Sequence, residues 1–124
     1  MAAMTYATLG SNPLDAAKAF YDALLHPCGI ATLFEHPSGG RVYGAAGRIT
    51  FGLVAPFDGE PATVGNGTMI AFSFDSREEV DAFHARALAL GGICEGPPGL
   101  RAPSLYFTYL RDLDGNKLSG YHIG

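Results

Sequence analysis

Cysteine is scarce in this sequence. It occurs only at Cys28 and Cys94, too few for a disulfide framework and without the CxxC spacing of a redox or zinc pair. Two reduced thiols are expected. Basic residues are also few, with 8 Lys and Arg against 12 Asp and Glu for a net charge of −4, and they are scattered along the chain. A surface that tracks phosphates needs clustered cations, so nucleic acid is not expected as a partner. No apolar run approaches the roughly 20 residues of a membrane span; even Ile49 to Phe57 is broken by Thr50, Gly52 and Pro56. The opening Met1-Ala-Ala-Met4 lacks a basic segment followed by an apolar one, so a cytoplasmic protein is expected, away from membranes.

Apolar residues, by contrast, are plentiful. They make up 48% of the chain against 16% charged, enough to bury a core and far from the composition of disorder. A length of 124 residues suits one domain, or two small units that share a core.

The same pattern runs through the chain twice. A shift of 63 positions places Thr5 on Thr68, Asn12 on Asp75, Ala19 on Ala82, Phe20 on Phe83 and Leu25 on Leu88. In each half a short apolar strand, Thr5 to Gly10 or Thr68 to Asp75, meets an Asn or Asp capping signal and then an apolar stripe at helical spacing. The first stripe is Leu14, Ala17, Phe20, Tyr21 and Leu24, with Pro13 just inside its start and Pro27 and Gly29 beyond its end. The second begins near Ser76 and runs through Val80, Phe83, Ala87 and Leu90, with Glu78 and Glu79 in the first turn and Gly91-Gly92 to stop it. Three strand-like segments follow each helix. In the first half they are Ile30 to Glu35, Arg41 to Ala45 and Arg48 to Ala55. In the second they are Gly92 to Glu95, Leu105 to Arg111 and Lys117 to Ile123, with Gly96-Pro97-Pro98-Gly99 read as a loop. Residues 4–56 and 67–124 form the two modules and 57–66 the linker, within one domain spanning residues 1–124. A second shift, of 68, aligns Gly47 with Gly115 and Gly52 with Gly120 in the closing turn and strand.

The segment Tyr106-Phe-Thr-Tyr-Leu-Arg-Asp-Leu-Asp-Gly-Asn-Lys-Leu-Ser119 resembles the closing motif of the vicinal oxygen chelate superfamily, which includes glyoxalases, extradiol dioxygenases, fosfomycin-modifying enzymes and bleomycin-sequestering proteins. Leu113 stands where the family form has Pro, and Ser119 where it has Glu. The strand Tyr-Ala-Thr-Leu-Gly at the start, Lys18-Ala-Phe-Tyr-Asp22, Gly65-Asn-Gly-Thr-Met-Ile-Ala-Phe72, Val80-Asp-Ala-Phe-His-Ala85 and Pro98-Gly-Leu-Arg101 agree with a bacterial glyoxalase-like branch. The resemblance spans nearly the whole chain. It implies an α+β fold of two tandem βαβββ modules whose curved mixed sheets pair around a central cavity with the helices outside. It also implies a homodimer as a family-level expectation.

Metal-using members of that superfamily offer one inward His or Glu from each of four strands, leaving open positions for a substrate with adjacent oxygens. The resemblance puts Tyr6, Met69 and Ser119 at three of those positions, and the shift of 68 puts Phe51 at the fourth. None is an ordinary ligand for a divalent ion, so neither a metal nor another cofactor is expected. The histidines do not replace them: His26 ends the first helix, His84 sits on the flank of the second, His36 lies in a turn, and His122 alternates to the face opposite Ser119. Asp112 and Asp114 form a carboxylate pair in the sequence, but side-chain bonding to the backbone of a tight turn explains them better than acid–base chemistry.

Alternation along strands extends the inward set to Thr8, Ile49, Leu53, Ala71, Ser73 and Tyr121. Such a lining, aromatic and aliphatic with several hydroxyls, suits a small apolar or aromatic ligand held by a few hydrogen bonds; side chains that simply fill the space are the alternative. Arg101, beside the Gly/Pro-rich segment, is either a gate or anion-binding group or a solvated surface residue. The leading expectation is metal-independent binding of a small molecule rather than catalysis. The alternatives are a lyase or dioxygenase-like enzyme with a displaced metal site, and a structural or partner-binding module.

Overall fold

The computed structural model describes all 124 residues. The chain divides into two compact units, Met1–Thr63 and Val64–Gly124. The first contains β1 (Ala7–Gly10), α1 (Leu14–Leu25), a 3₁₀ turn (His26–Cys28), β2 (Ala31–Glu35), β3 (Arg41–Ala45) and β4 (Arg48–Val54). The second contains β5 (Met69–Ser73), α2 (Arg77–Ala89), β6 (Ile93–Ala102), β7 (Leu105–Arg111) and β8 (Lys117–Ile123). Each is a βαβββ module with a four-stranded mixed sheet, in the orders β1-β4-β3-β2 and β5-β8-β7-β6. In both, the first and last strands run parallel and the remaining pairs antiparallel. The helix supplies the crossover that a parallel pair requires.

In the first unit the apolar stripe of α1 buries Ala17, Phe20, Tyr21, Leu24 and Leu25. Tyr21 meets Phe51 edge-on at 5.4 Å, and Tyr43 stacks on Phe51 at 5.2 Å. The Tyr43 hydroxyl donates to Asp22 on α1 at 2.7 Å, which ties the helix to β3. Burial, together with that bond to a carboxylate, raises the Tyr43 pKa well above its ordinary value. Asn12 does not cap α1 as expected. Its Oδ1 accepts instead from Ala62 N, and Pro13, in extended conformation, occupies the cap position with no side-chain bond.

In the second unit α2 buries Val80, Phe83 and Ala87. The cap is Ser76 rather than Asp75: Ser76 Oγ accepts from Glu79 N at 3.2 Å, and the Ser76 hydroxyl lies 3.4 Å from the Glu79 carboxylate, to which it donates. Phe83 packs against Phe72 and Phe74 at 5.7 and 5.1 Å. A Cβ at Gly120 would come within 2.7 Å of the Phe83 ring, so the helix seats on β8 only because that position is glycine.

The segment expected to loop from Gly96 to Gly99 is instead part of β6, which runs through Ala102 with several register shifts against β7. β6 lies at the edge of its sheet, where Pro97 and Pro98 can lack an N–H without breaking an inner ladder. Thr108 Oγ1 donates to Gly96 O at 2.7 Å, and the Arg101 guanidinium donates to Pro97 O at 2.7 Å and Gly99 O at 3.0 Å. Side chains thus supply the bonds that the irregular backbone does not.

Candidate functional site

Each sheet has one face against its helix and one face free of it within its unit. In the first unit, strand pairing sorts the residues between these faces. Tyr43 pairs with Phe51 and Leu9 with Leu53, and all four are buried on the helix side. Thr8 pairs with Gly52 and Val42 with Gly52, which places them on the open side. Between Tyr43 and Gly44 the register of β3 against β4 shifts, so that Gly44 pairs with Ile49 and Thr50 is the extra residue. That bulge brings Ile49 to the same face as Gly52, although the two are an odd number of residues apart.

Phe51 and Leu53, expected to line a cavity, therefore do not. They are 2% and 0% exposed, and Phe51 is enclosed by Tyr21 and Tyr43 on the helix side. The error lies in the shift of 68. Thr8 and Ala71 are 63 apart, and their partners Gly52 and Ser119 are 67 apart. An offset wrong by one residue moves a strand's whole side-chain set to the opposite face. The structural counterpart of Ser119 is Gly52.

The open face of the first unit holds a hollow of about 260 Å³ lined by Tyr6, Thr8, Phe34, His36, Val42, Ile49 and Gly52. Gly52 is its floor. A Cβ there would meet Thr8, Val54 and Val42 side chains at 3.6 to 3.9 Å, ordinary contact distances, so nothing but the missing side chain keeps that space open. Tyr6 and Phe34 stand at the rim, 57% and 50% exposed. His36 is fixed by its neighbours: Nδ1 lies 3.1 Å from Ser38 N, which donates to it, and 2.9 Å from Ser38 Oγ. Ser38 Oγ in turn accepts from Ala55 N at 3.1 Å. A second, more open hollow of about 870 Å³ adjoins and shares Thr8 and His36 with the first. Phe34, His36 and Val42 lie on β2, on the turn after it and on β3, outside the strands that the family resemblance marks as ligand-bearing, so the resemblance does not point to them. Part of the signal lies in the spacing, since Phe34 and His36 are two apart; the pairing of Phe34 with Val42 shows only in the sheet.

The second unit's open face carries Met69, Ala71 and Ser73 from β5 opposite Lys117, Ser119 and Tyr121 from β8. Tyr109 and Phe107 of β7 pair with Ser119 and Tyr121. Phe107 and Tyr121 stack at 4.9 Å, and Lys117 and Arg101 lie over the Tyr109 ring at 5.2 and 5.7 Å. Ser119 is fully buried and its Oγ has no hydrogen-bond partner, an arrangement that ordinarily costs free energy. Arg101 is not a free anion-binding group, since its donors hold the β6 carbonyls. A hollow of about 490 Å³ lies toward one end of this face, between the Gly65-Asn66-Gly67-Thr68 turn and Arg111 and Lys117. Arg111 is paired with Glu95, and that bond keeps the Glu95 carboxyl below its ordinary range.

The remaining polar candidates have structural partners. Asp112 is 3% exposed and accepts from Asp114 N at 2.9 Å, Asn116 N at 2.8 Å and Asn116 Nδ2 at 3.0 Å. It organises the turn that Gly115, at φ 93°, completes. His122 Nδ1 lies 2.8 Å from Phe74 O, and His26 Nε2 lies 3.4 Å from Thr32 Oγ1.

The donor chemistry does not fit a divalent metal. The positions that would carry ligands hold Tyr6 and Gly52 in the first unit and Met69 and Ser119 in the second, none an imidazole or carboxylate. Nowhere do three or more His, Cys, Asp or Glu side chains gather where they could hold an ion.

A family model described as Glyoxalase/Bleomycin resistance protein/Dioxygenase superfamily matches residues 3–119. Among solved structures, a glyoxalase/bleomycin resistance protein from Albidiferax ferrireducens is 43% identical, with 96% of this chain and 97% of that one covered and a TM-score of 0.86. A lactoylglutathione lyase from Agrobacterium tumefaciens is 24% identical over 98% and 94% of the two chains, with a TM-score of 0.72. A fosfomycin resistance protein from Listeria monocytogenes is 20% identical over 98% and 91%, with a TM-score of 0.74. These two share the fold. No curated protein matches the chain.

Proposed function

Since the chain belongs to the glyoxalase/bleomycin resistance protein/dioxygenase superfamily, we propose that it is a binding member of that superfamily, taking a small apolar or aromatic molecule without a metal ion. The observation that carries this reading is the hollow over Gly52. Apolar walls with a few polar groups are what a small-molecule site requires, and Phe34, Val42 and Ile49 supply the walls while Thr8 and His36 supply the polarity. The absence of imidazole and carboxylate at Tyr6, Gly52, Met69 and Ser119 supports the metal-independent part, because a divalent ion needs such donors.

The exposed aromatic and apolar groups on the open faces, Tyr6, Phe34 and Met69 among them, also support a homodimer, since sheet faces of this kind are normally covered. Sedimentation analysis tests that part; a monomer at high concentration would remove it. No helix is long and apolar enough to cross a membrane, which is compatible with the cytoplasmic location we infer.

NMR titration with indole tests the central claim. The Thr8, Ile49 and Gly52 resonances should shift, with and without a chelator present. Gly52→Leu should keep the fold and weaken binding at least about tenfold, because its side chain occupies the hollow. Undiminished affinity in Gly52→Leu, or affinity that vanishes on chelation, would refute the reading.

A further inference from the structure

His36 lines a largely apolar hollow in one defined tautomer. Ser38 N is a backbone donor directed at His36 Nδ1, so Nδ1 must present its lone pair and the ring proton belongs on Nε2. With Nδ1 held by Ser38, Nε2–H is the ring donor that His36 has left to offer a molecule in the hollows it lines. No Lys, Arg, Asp or Glu contributes to either hollow. An anionic ligand would enter without a counter-charge, whereas a neutral oxygen acceptor would meet one N–H donor.

We propose that His36 is a specificity-determining residue: its Nε2–H selects uncharged ligands that carry a hydrogen-bond acceptor, such as a carbonyl oxygen, on a small apolar or aromatic body. This rests on the binding role assigned above to the same hollow and names the chemical class that it takes. Thr8, on the open face beside Gly52, adds a hydroxyl to the same lining. The contrast with the second unit is chemical: there Lys117 and Arg111 border the hollow, while here no Lys or Arg does.

Two probes of nearly equal shape separate the possibilities, acetophenone with a carbonyl and isopropylbenzene without one. Titrations followed by NMR should show acetophenone binding the native protein about threefold to tenfold more tightly, the range for one net hydrogen bond. His36→Leu should abolish that preference while still binding isopropylbenzene, and His36→Gln, which restores an N–H donor, should recover part of it. Long-range ¹H–¹⁵N spectra should identify Nδ1 as the unprotonated ring nitrogen. Equal affinities in the native protein, a preference that survives in His36→Leu, or a proton on Nδ1 would overturn the selectivity while leaving the hollow as a binding site. If neither probe shifts the Thr8, Ile49 and Gly52 resonances, the binding role itself fails and the selectivity with it.

Discussion

Truncation of Phe51 to alanine should be far more damaging than truncation of its near neighbour Ile49. Phe51 is 2% exposed and contacts Tyr21 edge-on and Tyr43 in a stack, at 5.4 and 5.2 Å. Removing a buried phenyl ring leaves a cavity between helix and sheet and costs about 3 to 5 kcal/mol, with each lost ring pair accounting for about 0.5 to 1.5 kcal/mol of that. Ile49 is half-buried and borders the open hollow. Its truncation gives up part of the usual burial, about 1 to 2 kcal/mol, and enlarges a space that solvent already reaches. Against a total stability of about 5 to 15 kcal/mol, the difference is plain in urea unfolding curves. If Phe51→Ala does not fold, Phe51→Leu at about 1 to 2 kcal/mol serves the comparison. Indole affinity should change in Ile49→Ala and not in Phe51→Leu. An Ile49 variant as destabilised as its Phe51 counterpart would mean that Ile49 shares the buried face of Phe51 and that the bulge at Thr50 does not exist.

Two further outcomes follow from the geometry. Asp112→Ala removes the acceptor for the Asp114 and Asn116 amides; stranding these groups should cost about 2 to 5 kcal/mol in urea unfolding, with indole affinity per folded molecule unchanged. A specific loss of binding with stability intact would instead make Asp112 a site residue. His84 has a buried Nε2 without a partner, and burial lowers its pKa from the ordinary 6.5 while Asp81 opposes the shift. The unfolded chain therefore takes up that proton more readily, so His84's contribution is complete above about pH 6.5 and is lost as pH falls through the folded-state value. His84→Phe should flatten the acid limb of a stability profile measured by urea unfolding, and an unchanged limb would refute the assignment.

The order strand, helix, three strands, twice over, was legible along the chain, because the apolar stripes of α1 and α2 and the Gly and Pro punctuation are local signals. So was the turn around Asp112, since an Asp with Gly115 and Asn116 close behind it bonds its own backbone whatever surrounds it. That Tyr6, Met69 and Ser119 stand where relatives carry metal ligands is legible only through the family resemblance. Local reading failed where a local signal competed with a partner strand. The Gly and Pro of residues 96 to 99 signal a loop, but pairing with β7 and bonds from Thr108 and Arg101 carry β6 through them.

The face of β4 shows the limit most clearly. The apolar run of β4 marks it as a strand, but one extra residue at Thr50 decides whether Phe51 or Gly52 looks toward the hollow. The sequence alone set the order of elements in each module and, through the family resemblance, showed that Tyr6, Met69 and Ser119 stand where relatives carry metal ligands. Only tertiary pairing decided which side chains of β4 face the hollow, because side chains alternate with a period of two and a single bulge inverts the set.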